Sequence, residues 1–463
     1  MKPKHNFIFI SIVALSFFAI HSAKADNATI STSTITTLAT STPTTTATAS
    51  TSTSTIISMP VVPQLITQIQ QAKVQLASII LNHALTAVYK NVKNKKTKKT
   101  TKTLAGYNLT SKDIVLAILD PATGNIITTI GRQSGKTMVF PGPEVQVKLK
   151  TFNGVNSKFQ IDSPAGGVVL ALKYLISSPD SGSKAAIENG LSEAVYVPYS
   201  SGLSDPAVLA YGESYLNTII RNVADSLQNE PSAAMPGKTI TQAIPPAMIK
   251  ALVYAEHTDT TQVLRGDVQD TVDQLNILFA TNQGDAYKYS VSTASARGIA
   301  QFIPSTYASL VQRHPNLGFI PDFVQGMADH TNSIKAMYVL LDDYAGAVRV
   351  KAAQGFAAGR IFEYAAASYN GGTARVANAV NTYGADWNSD HSGEINTLQS
   401  QISSLKSQIK KAKDKKTKSA LQGQLATANS QLSDLQSATL RNETINYLNK
   451  IYKVITMFND QVI

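Results

Sequence analysis

The 463-residue chain contains no cysteine. That absence excludes thiol nucleophiles, Cys-ligated metals, disulfides and lipid attachment to an N-terminal cysteine, so any fold must rest on its apolar cores alone. Acidic residues are also scarce: 30 Asp and Glu against 41 Lys and Arg leave a net charge of +11. Much of the excess lies in two lysine clusters. A basic exported chain suits anionic cell-wall polymers or an anionic membrane face. No nucleic-acid motif accompanies the charge, so nucleic acid is not an expected partner. Beyond the N-terminus no apolar run approaches the ~20 residues that a membrane span requires. No arrangement of His or acidic residues matches a known metal loop, and neither metal nor cofactor is expected.

What is present begins with an export pattern. Lys2 and Lys4 precede the apolar run Phe7 to Ile20, and Ala23-Lys24-Ala25 supplies a small-x-small cleavage site. Residues 1–25 are therefore expected to be a signal peptide, with an uncleaved anchor as the alternative. Residues 26–60 are mostly Ser, Thr and Ala, too polar to repay ordering, and predict a disordered stalk. Residues 61–106 predict a helix over Gln64 to Val92, with Leu65, Ile69, Ala72, Leu76, Ile79 and Ile80 at helical spacing. A Lys-rich run from Lys90 to Lys99 follows and reads as a linker, either solvated or adhering to an anionic surface.

Residues 107–231 predict an α+β accessory module. Ile114 to Leu119 and Ile126 to Ile130 flank the turn-forming Asp120-Pro121-Ala122-Thr123-Gly124-Asn125, and Val145 to Leu149 alternates with strand period. From Gly166 the pattern reads as helical, and Pro206 to Leu227 as an amphipathic helix. Ser232 to Lys238 looks like a linker into a last domain spanning 239–463. Within it, Ile395, Leu398, Ile402, Leu405, Ile409 and Ala412 are spaced by threes and fours. So are Leu421, Leu425, Ala428, Leu432 and Leu435. The lysine-rich Lys413 to Lys418 lies between, which predicts an antiparallel coiled-coil hairpin over 394–440.

Three short segments carry the chemistry. Ala255-Glu256-His257 ends a helical run that starts at Ile244. Gly298-Ile299-Ala300-Gln301-Phe302 follows a small-residue lead-in. Ser368-Tyr369-Asn370-Gly371-Gly372 comes third, with Arg375-Val376 behind it. In this order they resemble the three motifs of the soluble lytic transglycosylase family, over roughly residues 240–455. Pro304 to Tyr307, Asn332-Ser333-Ile334 with Tyr338, and Glu443-Thr444 with Tyr447 extend the resemblance. It implies a mainly helical, lysozyme-like catalytic domain, here with the hairpin inserted before the last helix and the β-rich module in front. It also implies cleavage of peptidoglycan glycan strands in the cell envelope.

Cleaving a glycosidic bond needs a proton delivered to the leaving oxygen, usually by one of two carboxylates. The resemblance implies that Glu256 serves alone, first as acid and then as base on the sugar's own C6 hydroxyl, leaving a 1,6-anhydro end. It implies further that the Tyr369 hydroxyl orients the Glu256 carboxyl. Gln301, Gly298, Ile299, Phe302, Asn370 and His257 would line or shape the glycan site. His257 stands where the family has serine, and the serine's contact is not carried over to it. The segment from His257 to Ser290 is longer than usual and holds Asp259, Asp267, Asp270, Asp273 and Asp285. One of these opposite Glu256 would make the enzyme a hydrolase of the same fold. The remaining alternative is a weakly active or inactive wall-binding scaffold of an envelope-spanning secretion or pilus apparatus. Partners would be glycan strands, with an envelope protein or anionic wall polymer held by the Lys-rich linker and hairpin tip.

Overall fold

The computed structural model describes residues 62–94, 96–177, 181–352 and 355–457; the expected signal peptide and stalk lie outside the described residues. Helix α1 (Gln64–Ala77) buries Ile66, Ile69, Ala72 and Leu76. The chain then turns into strand rather than continuing as helix: β1 (His83–Lys93) pairs antiparallel with β2 (Thr100–Leu119), from His83 opposite Lys112 to Lys93 opposite Thr100. The Lys-rich run is thus the tip of a long β-hairpin instead of a linker. Its alternating Ala84-Leu85-Thr86-Ala87-Val88-Tyr89 favours strand, where β-branched and aromatic residues fit the pleat. Val88, Tyr89, Val92 and Leu104 remain exposed on this arm.

The inner half of β2 is the centre of the sheet. It pairs on one side with β3 (Ile126–Ser134), which carries β4 (Thr137–Val139), while β5 (Gln146–Thr151) and β6 (Lys158–Ser163) form a separate two-stranded ribbon. On the other side β2 pairs with β7 (Val168–Ser177); the two-residue β8 (Ser181–Gly182) touches β2 farther out. Helix α2 (Lys184–Asn189) leads to β9 (Leu191–Tyr196), which completes the antiparallel sheet beside β7. Apart from the short α2, the helical expectation from Gly166 therefore fails until Pro206. Strand β7 is buried on both faces through Val169-Leu170-Ala171-Leu172. A run apolar on both faces loses the two-residue alternation that marks a strand.

Helix α3 (Pro206–Ser226) opens with Asp205 as N-cap, its carboxylate accepting from the Ala207 amide. It contributes Leu216, Ile220 and Val223 to the core of the helical body. An expected boundary at 231 therefore falls after a helix that already belongs to both cores. The segment Ser232 to Lys238 is likewise pinned rather than loose. Buried Asp342 accepts from the Ser232 hydroxyl and from the amides of Ala233 (2.6 Å) and Ala234 (3.3 Å).

The helical body continues with α4 (Ile240–Ala243), α5 (Pro246–Glu256), α6 (Thr260–Arg265), α7 (Val268–Asn282), α8 (Pro304–Arg313), α9 (Phe323–Ala328), α10 (His330–Lys351), α11 (Ile361–Gly371) and α12 (Thr373–Tyr383). Helix α5 starts with Pro246, which needs no amide partner there, and every residue from Ile249 to Ala255 is buried. Helices α3 and α7 cross backbone to backbone: a β-carbon on Gly212 would lie 1.9 Å from the Asn276 carbonyl oxygen. Only glycine permits that approach.

Helices α13 (Ser392–Lys411) and α14 (Lys415–Ala438) fold back on each other over Ile402, Leu405 and Ala428, with Leu421, Leu425 and Leu432 alongside. Their base is held by Arg375, which donates to the carbonyls of Gln436 (2.7 Å) and Thr439 (2.8 Å). Helix α15 (Asn442–Thr456) returns to pack on α5, α6 and α11. Among the described residues no helix is long and apolar enough to cross a membrane.

Candidate active site

Glu256 is the last residue of α5, which is buried from Ile249 to Ala255 and apolar there except for Lys250, paired with Glu213 at 2.6 Å. Its carboxylate accepts a hydrogen bond from the Tyr447 hydroxyl on α15. Burial raises the Glu256 pKa above the ordinary carboxylate value, against the Tyr447 hydrogen bond and the charge of Lys450, which both pull it down. The negative end of the α5 dipole acts in the same direction as burial. Some surface of the residue still opens on a cleft, so the group combines a raised pKa with access.

Lys450 lies three residues after Tyr447 on the buried face of α15. Its ammonium donates to the carbonyls of Ala255 (2.6 Å) and Thr258 (3.1 Å), satisfying groups that the end of α5 leaves open. Burial lowers its pKa, while Glu256 and Asp259 work the other way. One helix thus brings both a proton donor and a cation to the glutamate.

His257 is occupied with structure. Its Nε2 lies 2.9 Å from the Ile299 carbonyl, and its ring stacks on Tyr287 with centroids 3.7 Å apart. Burial pushes its pKa down to about 4. It is neutral near pH 7, so Nε2 carries the proton and donates to Ile299, tying the glutamate to the glutamine segment.

That segment is strained. Among the described residues, the left-handed non-glycine residues are Lys98, Gln283 (φ 46°), Tyr287 (φ 59°), Ser295 (φ 63°) and Gln301 (φ 51°). All but Lys98 fall between 283 and 301, the stretch that borders the cleft. Such strain persists only where surrounding contacts impose it. Gly298 (φ 70°) anchors the loop, since a β-carbon there would meet the Met327 carbonyl oxygen at 2.1 Å. Gln301 lines the cleft and donates from Nε2 to the Gly298 carbonyl at 2.9 Å. Ile299 and Phe302, expected near glycan, are buried in the core.

The third segment is placed differently from expectation. The Tyr369 hydroxyl donates to the Ala300 carbonyl, not to Glu256, and its ring meets Phe302 edge-on at 5.9 Å. Asn370 is exposed, and its side-chain oxygen accepts from Thr444 at 2.9 Å. A β-carbon on Gly371 would stand 2.6 Å from the Thr444 hydroxyl. The segment therefore joins the glutamine loop to α15, and α15 delivers the tyrosine that meets the carboxylate. Of the two hydroxyls, Tyr447 donates to the Glu256 carboxylate and Tyr369 to the Ala300 carbonyl.

The cleft has a volume of about 440 Å³. Glu256, His257, Thr258, Gln262, Gln274, Tyr287 and Gln301 are among the residues that border it from the helical body. Asn153, Asn156, Lys158 and Tyr199 border it from the sheet side, which sequence reasoning did not anticipate. Glu256 is the one carboxylate of the lining among the described residues. Asp259 and Asp267 instead cap α6 and α7, Asp273 accepts from Gln269 and Asp285 from Lys288. Asp270 lies in the exposed first turn of α7. No group of three or more His, Asp or Glu able to hold a metal occurs among the described residues.

Tyr447 carried a signal that was readable in hindsight. Tyr447, Leu448, Lys450, Ile451 and Val454 share the buried face of α15, and a lysine on such a face needs polar partners. No family model, curated protein or solved structure matches the chain.

Proposed function

We propose that this protein is an exported peptidoglycan lytic transglycosylase with Glu256 as its acid and base. One observation carries the reading: a single carboxylate lines the cleft, and burial holds its pKa up. Protonated Glu256 gives its proton to the glycosidic oxygen between N-acetylmuramic acid and N-acetylglucosamine as the C1–O bond breaks. The ionised carboxylate, still hydrogen-bonded to Tyr447, then takes the proton from the C6 hydroxyl of the same muramic acid as that oxygen bonds to C1. The product is a 1,6-anhydro end, and no water is consumed. A buried acid with a raised pKa suits the first half of the cycle.

In this reading residues 239–463 form a lysozyme-like domain, and α13 with α14 is a coiled-coil hairpin inserted into it. The lysine-rich tips of that hairpin and of the β1–β2 arm contact anionic wall polymer or an envelope protein. Amide side chains suit the ligand, since Gln262, Gln274 and Gln301 offer donors and acceptors to acetamido groups and hydroxyls. A hydrolase would need a second group to activate water, and none of the five aspartates after His257 borders the cleft.

The test is digestion of purified sacculi by the full chain, with the glycan ends identified by mass spectrometry. 1,6-Anhydro ends are expected. Reducing ends as the main product would make the enzyme a hydrolase. No cleavage by a folded protein that still binds sacculi would make it a scaffold.

A further inference from the structure

The cleft beside Glu256 is closed on its far side by residues outside the span that resembles transglycosylases. Asn153 and Asn156 come from the turn between β5 and β6, Lys158 from the first position of β6, and Tyr199 from the chain after β9. This wall is rigid. Val155 is buried beneath it, and the Ser157 hydroxyl accepts from the Asn153 amide (2.9 Å) while donating to the Gly154 carbonyl (2.7 Å). Two residues before Tyr199, both backbone groups of Val197 are held by the Asn282 side chain of α7, at 2.8 and 2.9 Å. The sheet wall is thereby fixed to the helix that borders the other wall.

Its chemistry differs from that of the helical wall. Lys158 is exposed and is the one charged partner to Glu256 in the lining, because His257 stays neutral. Among the described residues no carboxylate pairs with Lys158; its neighbour Lys148 takes Asp162 instead. The Lys158 ammonium lies 5.5 Å from the centre of the Tyr199 ring. Asp270 and Asp273 act on Tyr199 from α7, after its burial, to raise its pKa, but neither pairs with Lys158. An unpaired ammonium beside an aromatic face and two amides is a recognition surface for a carboxylate on an N-acetylated saccharide.

We infer that the β5–β6 turn with Lys158 at the start of β6, together with Tyr199, forms a second subsite, which selects glycan bearing free carboxylates through Lys158. The inference rests on the glycan reading of Glu256. It assigns to the sheet module a share in substrate choice, with Glu256 unaltered as the acid.

Binding is measured by calorimetry on the full chain carrying Glu256→Gln, so that no probe is consumed. One probe is neutral tetra-N-acetylchitotetraose. The other is a peptidoglycan tetrasaccharide whose stem peptides carry free carboxylates. Adding Lys158→Met should weaken the carboxylated probe about fivefold, the size of a partly solvated ion pair, and leave the neutral probe unchanged. Lys158→Arg should restore most of the loss, and about 1 M salt should erase the contrast. Equal weakening of both probes, or no weakening of the carboxylated one, overturns the subsite. If the Glu256→Gln chain with Lys158 intact binds neither probe, the glycan reading itself fails and the subsite falls with it. An unchanged unfolding midpoint for Lys158→Met excludes misfolding as the cause of any loss.

Discussion

The two walls of the cleft were built by different means. The helical wall rests on three short segments whose residues touch one another through α5, the strained loop at 283–301 and α15. The sheet wall rests on a turn and a post-strand segment, tied to the helical body through the Asn282 side chain of α7. The helical wall holds Glu256, the proposed acid, and a buried cation that serves the backbone. The sheet wall offers amides, an aromatic face and an exposed ammonium. On the proposed reading the contrast separates chemistry from selection: substitutions in the first should act on turnover, and those in the second on binding.

The largest effect should come from Glu256→Gln, which keeps the shape but can neither give nor take a proton. Turnover of glycan should fall by about 10²–10⁴-fold. The same change should stabilise the fold at neutral pH. A carboxyl whose folded pKa is raised contributes stability that is full below its unfolded value near 4.5 and lost as pH rises through the folded value. Glutamine lacks that loss. The variant should therefore melt higher than its parent at pH 7–8, with the difference vanishing toward pH 4. A turnover rate equal to the parent's would remove Glu256 from the mechanism.

Tyr447→Phe should come next, with turnover reduced about tenfold, the order of one hydrogen bond to a charged group. The lost bond had been lowering the pKa of Glu256, so its removal should raise that pKa further. The alkaline limb of the pH–rate profile should move to higher pH. Tyr369→Phe removes a bond to the Ala300 carbonyl instead, and should leave that limb in place. A shift with the Tyr369 variant alone would reverse the two assignments.

Asn282→Ala should strike the other wall. It frees both backbone groups of buried Val197, at a cost of about 1–3 kcal/mol for each group left unpaired. KM should rise several-fold, with kcat held within about twofold, as expected when only uniform binding is lost. A fall in kcat with KM constant would mean that the two walls are not separate in function.

The smallest effect should follow removal of the outer part of the α13–α14 pair, residues 398–432, replaced by a short Gly/Ser link. The base contacts of Arg375 and the stacked Tyr383 and His391 rings (3.5 Å between centroids) stay in place. Activity on short soluble glycans should change by less than about twofold, while salt-sensitive binding to anionic wall polymer should weaken. Loss of cleavage on those short glycans would make the pair a wall of the cleft.

How much of this could be read beforehand depends on whether a feature is local. The helix ending at Glu256 was legible, because an apolar run starting after Pro245 and Pro246 has few other outcomes. Helix was expected over Gln64 to Val92, yet strand begins at His83, since short apolar segments fit either period until a partner strand selects one. The buried strand β7 was misread for a related reason: its centre is apolar on both faces. At the site, Glu256, His257 and Gln301 all line the cleft, whereas Ile299 and Phe302 face the core and Tyr369 meets a backbone carbonyl. A motif fixes which residues are near; it does not fix which hydroxyl arrives first. That was settled by α15, nearly two hundred residues from Glu256 in the chain.

By itself the sequence determined which residues can do acid–base chemistry, where α5 starts, and that charge gathers in lysine clusters. Those properties belong to single residues or to neighbours along the chain. The tertiary structure alone decided that Tyr447 and Lys450 flank the glutamate and that His257 is neutral. It also decided that the five aspartates stand away from the cleft and that Lys158 faces it. Each of these depends on burial and on distances between segments far apart in sequence, and a pKa or a hydrogen bond exists only once the surrounding layers have excluded water.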